Sequence, residues 1–219
     1  MHFQNRSDAG RRLAAQLTPF ANLPDLRILA LPRGGVPVAF EIARALHAPL
    51  DVWVVRKLGA PGIPELAIGA IAPGGILVLS PGAARQLRIA PQQIEAIAAQ
   101  ERLELERREK AYRGSRPSID VRGKSVLLVD DGLATGSTMR AAIAALRRLE
   151  PARIVVAVPV AAASVCAELA HEADDIVCLW TPIDLDSVGQ WYEDFSQTSD
   201  AEVLDLLNRA GPFASPEPG

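Results

Sequence analysis

The chain reads as an α/β fold built on a largely parallel sheet. Two observations predict it: short apolar runs of strand length alternate with segments of helical periodicity, and two of those runs end in small-residue loops that lead straight into a helix. At 219 residues the chain can bury a substantial core, and it is read as one folding unit over residues 1–210 with a disordered tail at 211–219.

Strands are expected at Arg27 to Leu31, Asp51 to Val55, Val126 to Val129, Ile154 to Pro159 and Ile176 to Leu179. Helices at Val36 to Leu46, Ser137 to Leu149 and Ala161 to His171 lie between them, and Pro37 falls in a first turn, where its missing N–H costs nothing. A hairpin interrupts the alternation, with Leu66 to Ile71 and Ile76 to Ser80 about the turn Pro73, Gly74, Gly75. It begins in the Gly/Pro-rich stretch KLGAPGIPE, expected to be a mobile loop. The longest helical pattern, residues 91–112, is an insertion with Ile94, Ile97, Ala98, Leu103 and Leu105 as apolar positions; its Glu and Arg residues are spaced for i to i+4 pairs on a solvated face. Asp200 to Arg209 is a terminal helix, and Trp53 is a core residue of its strand.

Composition narrows the function. A net charge of -3 and a pI near 5.7 speak against a nucleic-acid partner, which would require a basic excess. Cys166 and Cys178 lack CxxC spacing and His2, His47 and His171 are scattered, so a zinc site is not expected and a reducing compartment is. The polar N-terminus and the lack of any run of about 18 apolar residues point to a cytoplasmic protein without a membrane span.

The chemistry concentrates in VLLVDDGLATGST, residues 126–138. In an open α/β sheet ligands collect beyond the carboxyl ends of strands, which is where Asp130 and Asp131 fall. The loop after them enters a helix, so its amides can face an anion with help from the helix dipole. Ala134 and Gly136 leave the approach open, while Thr135, Ser137 and Thr138 add hydroxyls. Two carboxylates beside a phosphate need another part of the ligand to hold, and vicinal sugar hydroxyls or Mg²⁺ suit them, so the expected ligand is a sugar phosphate. A Walker loop is excluded because the segment has no lysine. A phosphorelay receiver is set aside because the acid pair lies past the middle of the chain and no lysine follows Lys124. A second anion nest is expected in LALPRGGVPVAFEIA, where Arg33, Gly34 and Gly35 lie between a strand and a helix.

Residues 126–138 resemble the PRPP-binding signature of type I phosphoribosyltransferases, and the Arg33-Gly34-Gly35 loop resembles that family's pyrophosphate loop, in the form found in bacterial xanthine-guanine enzymes. VVRKLGAPGIPELAIGA is similar to its flexible catalytic loop, and WYEDFSQTSD to the corresponding stretch of a bacterial branch of the family. The resemblance implies that Asp130 and Asp131 hold the ribose hydroxyls of 5-phosphoribosyl 1-pyrophosphate and that Ala134, Thr135, Gly136, Ser137 and Thr138 cradle its 5'-phosphate. It also implies that Arg33, Gly34, Gly35, Arg56 and Lys57 meet pyrophosphate. Arg33, Lys57, Asp130 and Asp131 are the expected catalytic set. Mg²⁺ is the implied cofactor, reaching Asp130 and Asp131 mainly through PRPP. A small hood, residues 180–198, would cover the acceptor, with Trp180, Trp191 or Tyr192 stacking on a nucleobase. A homodimer is implied by resemblance alone.

The implied reaction moves the phosphoribosyl group from PRPP to a nucleobase in nucleotide salvage, releasing pyrophosphate. A non-catalytic PRPP sensor and a transferase acting on a non-purine amine are the alternatives. Ala134 departs from the 6-oxopurine enzymes, which usually carry an Asp there, so hypoxanthine and guanine are expected to be poor substrates.

Overall fold

The apolar runs become strands whose Val, Ile and Leu side chains suit a pleated, buried surface. In chain order the strands are β1 (Leu26–Ala30), β2 (Leu50–Val52), β3 (Arg56–Ala60), β4 (Ile63–Ala72), β5 (Ile76–Leu79), β6 (Ser125–Val129), β7 (Arg153–Val160) and β8 (Asp175–Trp180). The helices are α1 (Arg6–Gln16), α2 (Gly35–Leu46), α3 (Pro91–Arg113), α4 (Ser137–Arg147), α5 (Ala163–Leu169) and α6 (Asp200–Arg209). The computed structural model describes residues 2–211 except 22, 24, 81, 83–86, 115 and 117–119, so nearly all of the expected tail lies outside the described residues.

Five strands form one parallel sheet in the order β2-β1-β6-β7-β8. Alternate residues of the central strand serve opposite layers. Leu127 and Val129 join a core with α1, α2, α3 and α6, while Val126 and Leu128 join one with α4 and α5. The chain leaves β1 toward β2 on one side and leaves β6 toward β7 on the other. The strand order therefore reverses between β1 and β6, where this architecture opens a crevice at the carboxyl ends. The register pairs Ala30 with Val129, and Leu31 N donates to Val129 O at 2.8 Å, so both strands end at one level and their loops start side by side.

Several expectations are corrected. The second core strand stops at Val52, and Arg56 and Lys57 instead open β3 of a separate antiparallel sheet, β3-β4-β5. The stretch expected as a mobile loop is thus strand, turn and strand: Pro61 and Gly62 make the turn, Gly62 at φ 78° takes the left-handed conformation that glycine adopts readily, and the pairing shifts register after Leu58. Leu103 of α3 is 70% exposed, whereas Ile94, Ala98, Leu105 and Tyr112 form its buried stripe. Ala161 and Ala162 are extended rather than helical, because their amides bond Trp180 O at 3.1 Å and Leu133 O at 3.1 Å. The N-terminal segment, read only as polar, forms α1. Asn5 caps it by accepting from Asp8 N at 2.9 Å, and Gly10 lets it lie directly on α2, since a Cβ there would stand 2.6 Å from Val38 O.

Candidate active site

The strand reversal brings two loops separated by almost one hundred residues into contact. Asp130 and Asp131 leave β6, while Arg33 and Gly34 lie between β1 and α2. Gly34 backs onto the Asp131 carboxylate and Gly35 onto the end of β6, where a Cβ would be 2.7 Å from Val129 O. Only glycines allow the two loops to approach this closely. The Pro32–Arg33 peptide, just ahead of Gly34, is cis.

Both acids are half-buried. Asp130 is held well above the usual carboxylate range, first by burial and then by the charge of Asp131, although its Oδ1 accepts from Asp131 N at 2.9 Å. Burial also raises Asp131, opposed by Arg6, whose Nε donates to its Oδ2 at 2.7 Å. An acid pair destabilised in this way favours a ligand that brings hydroxyl donors or positive charge.

Beyond the acids the chain crosses to β7, with Leu133 N donating to Val160 O at 2.9 Å, then turns into α4. Gly136 makes that turn at φ 66°, and a Cβ there would meet Val165 Cγ1 at 2.5 Å. Gly136 supplies no side chain to cap α4, and although the Ser137 amide makes a long bond to Thr135 Oγ1 at 3.5 Å, the following first-turn amides are available to an anion. Thr135 Oγ1 lies 3.3 Å from Ser137 Oγ, and Arg140 braces the loop from below, donating to Thr135 O at 2.8 Å and to Glu168 Oε2 at 2.6 Å.

Of the two basic residues of β3, Lys57 turns to this loop and donates to Ser137 Oγ at 3.2 Å. Arg56 points the other way and forms an ion pair with Glu101 of α3 at 2.6 Å. Successive strand residues face opposite sides, so only one of the pair can reach the crevice. Arg33 lies 3.7 Å from Asp200, which also accepts from Tyr112 Oη at 2.7 Å.

The phosphoribosyl transferase domain model matches residues 2–191. A Mycobacterium tuberculosis protein named "Putative phosphoribosyl transferase" is 45% identical over 208 residues, covering 95% of this chain and 47% of that protein. This chain thus spans about half the length of the curated relatives it matches. The crystal structure of TT1426 from Thermus thermophilus superposes with a TM-score of 0.86 at 45% identity, covering 95% of this chain and 99% of that one. AQ2163 from Aquifex aeolicus shares the fold alone, with a TM-score of 0.51, 11% identity and coverage of 92% and 84%. The chain belongs to the phosphoribosyl transferase domain family.

In this phosphoribosyl transferase domain the segment expected as a hood, residues 180–198, is largely irregular chain, with one short 3-10 turn at Val188–Trp191. Trp180 ends β8 with 37% exposure and Trp191 is half-buried, its ring 6.4 Å from that of His2. Tyr192 corrects an expectation. Its ring is 6% exposed between Phe3 and Phe195, and its hydroxyl donates to Asp131 O at 2.6 Å, so it braces the acid loop instead of presenting a stacking face. Burial and the neighbouring carboxylates push that hydroxyl pKa upward. Sequence reasoning missed Arg6, Arg140 and this role of Tyr192. An Asn cap ahead of Arg6 was the available signal for α1, but no pattern announces a contact across 125 residues.

Proposed function

We propose that the domain transfers a 5-phosphoribosyl group from PRPP to a nucleobase-type acceptor with release of pyrophosphate, in an Mg²⁺-dependent reaction. The observation carrying this reading is the contact of Gly34 with Asp131, which joins the two anion-binding loops into one crevice. Asp130 and Asp131 accept hydrogen bonds from the ribose hydroxyls. The backbone of Ala134 to Thr138, with the hydroxyls of Thr135, Ser137 and Thr138, receives the 5'-phosphate, and Lys57 adds a cation at Ser137. Arg33 and the Gly34 amide face the leaving pyrophosphate, where negative charge grows as the glycosidic carbon changes partner, whereas the Gly35 amide, expected to join them, is already given to Leu31 O at 3.0 Å. Arg33 is only loosely held by Asp200 at 3.7 Å, so it can turn to the ligand. The hood, with Trp180 and Trp191, covers the acceptor and limits water.

The donor set suits Mg²⁺. Among the described residues no group of three or more His, Cys, Asp or Glu forms a metal cage, so the ion would arrive with the phosphate oxygens of PRPP, and Asp130 and Asp131 would hold it mainly through the bound PRPP. When bound, Mg²⁺ supplies neutralisation of pyrophosphate charge.

Calorimetric titration of PRPP with Mg²⁺ into the wild type and an Asp130→Asn, Asp131→Asn variant tests the site. Binding to the wild type and loss in the variant is the expected result; no binding to folded wild type would sink the proposal. A panel of purines, pyrimidines and ammonia then assigns the acceptor. With Ala134 in the loop, hypoxanthine and guanine should support little pyrophosphate release.

A further inference from the structure

The N-terminal segment runs beside residues 191–194 and carries Arg6 to Asp131. Phe3 forms a parallel bridge with Tyr192. Its amide donates to Trp191 O at 2.8 Å, Glu193 N donates to Phe3 O at 2.8 Å, and Asp194 N donates to Gln4 O at 2.9 Å. Asn5 then caps α1, which makes Arg6 the first helical residue. The bridge thus sets the depth and the cap sets the direction from which this guanidinium enters.

Arg6 is 11% exposed and held on three sides. Nε donates to Asp131 Oδ2 at 2.7 Å, Nη1 donates to Ser196 O at 2.7 Å, and the guanidinium face lies 3.9 Å from the Phe195 ring centre. A Cβ on Gly34 would stand 3.3 Å from Nε, so Arg6 sits where the two loops meet. The carbonyl of Asp131 is held independently by the Tyr192 hydroxyl at 2.6 Å. Both ends of Asp131 are therefore fixed by the N-terminal segment and the hood, whereas the Asp130 carboxylate bonds within its own loop.

A hydrogen bond weakens steeply as its angle departs from linear, so a carboxylate serving sugar hydroxyls depends on its orientation. We infer that Arg6 and the Tyr192 hydroxyl are positioning residues that aim Asp131 at the ribose, making the N-terminal segment a working part of the sugar site. This rests on the phosphoribosyl-transfer reading above. It makes a selective claim: disturbing Arg6 or the Tyr192 hydroxyl harms recognition of a ribose-bearing ligand, while inorganic pyrophosphate, which has no sugar, is held elsewhere in the crevice.

The test is calorimetry on the full chain with Mg²⁺ and either PRPP or inorganic pyrophosphate, paired with thermal unfolding. Arg6→Gln removes charge and fork, Arg6→Lys keeps the charge, and Tyr192→Phe removes one donor while leaving the ring in place. Arg11→Gln, on the same helix but 56% exposed, is the control. The expected result for Arg6→Gln is PRPP affinity lower by roughly 10- to 100-fold, the usual range for loss of an outer partner. Arg6→Lys should recover part of it, and Tyr192→Phe should lose about threefold or more. Pyrophosphate affinity should stay within about twofold throughout, and Arg11→Gln should match the wild type. Unchanged PRPP affinity in Arg6→Gln and Tyr192→Phe, beside normal wild-type binding, overturns the inference. So does an equal loss of PRPP and pyrophosphate binding with a lowered Tm, which marks general loosening. Wild-type protein that does not bind PRPP removes the parent reading, and this one with it.

Discussion

At the scale of single residues, the site is built at a cost to the ligand-free fold. Asp130 has its pKa raised above the unfolded value by burial and by Asp131. Its contribution to stability is complete below the unfolded pKa and is lost as pH rises through the folded one. The ligand-free protein, kept in chelator, should therefore lose Tm as the pH is raised toward neutral, and Asp130→Asn should flatten that limb and melt higher at pH 7. Each 1 kcal/mol recovered reads as about 2 to 4 °C for a chain of this size. An Asn that melts lower at pH 7 would contradict this reading. Gly136 is constrained in the opposite sense. Gly136→Ala places a Cβ at a left-handed φ of 66° and against Val165, so a destabilisation of about 1 to 2 kcal/mol from the backbone alone is expected in denaturant unfolding.

Elements decide which side chains can work together. Strand alternation in β3 sends Lys57 to Ser137 and Arg56 to Glu101, although the two are adjacent in a basic pair. Lys57→Ala should weaken PRPP binding about tenfold or more while Tm stays nearly constant, the loss of one charge-assisted bond. Arg56→Ala should lower Tm and affect PRPP binding much less, because its partner belongs to α3. Measuring Kd and Tm for both variants separates them, and the reverse pattern would place Arg56 in the crevice. The helix α3, whose charges were expected on a solvated face, also carries Glu101, Tyr112 and Arg113, which reach β3, α6 and β2. Its Glu104–Arg108 pair has the i to i+4 spacing read from the sequence, and Glu104 also pairs with Arg107 at i to i+3.

Across the whole molecule, the Tyr112 hydroxyl on Asp200 links α3, α6 and, through Asp200, the Arg33 loop. Burial, and then the bond to Asp200, pushes the Tyr112 hydroxyl from an ordinary 10 up to about 12. A raised folded pKa contributes stability below pH 10 that disappears as pH climbs through about 12, so the wild type should soften on that alkaline limb. Tyr112→Phe should lose about 1 kcal/mol at pH 7 and show a shallower alkaline decline, read by urea unfolding at several pH values. No change in slope would dissociate Tyr112 from that limb. The sequence by itself determined the parallel α/β class, the five core strands to within a few residues and the two small-residue loops that follow β1 and β6. These are local properties: apolar period, a helix following a short loop, and bare or hydroxylated residues at the turn. Tertiary structure alone decided that the loops share one crevice, because that follows from where the strand order reverses and from the Ala30 to Val129 register. It also decided that Arg6 reaches Asp131, that Tyr192 braces the acid loop, and that Arg56 turns away. Each depends on contacts between segments far apart in the chain, and side-chain direction across such distances is set by packing rather than by any neighbour in sequence.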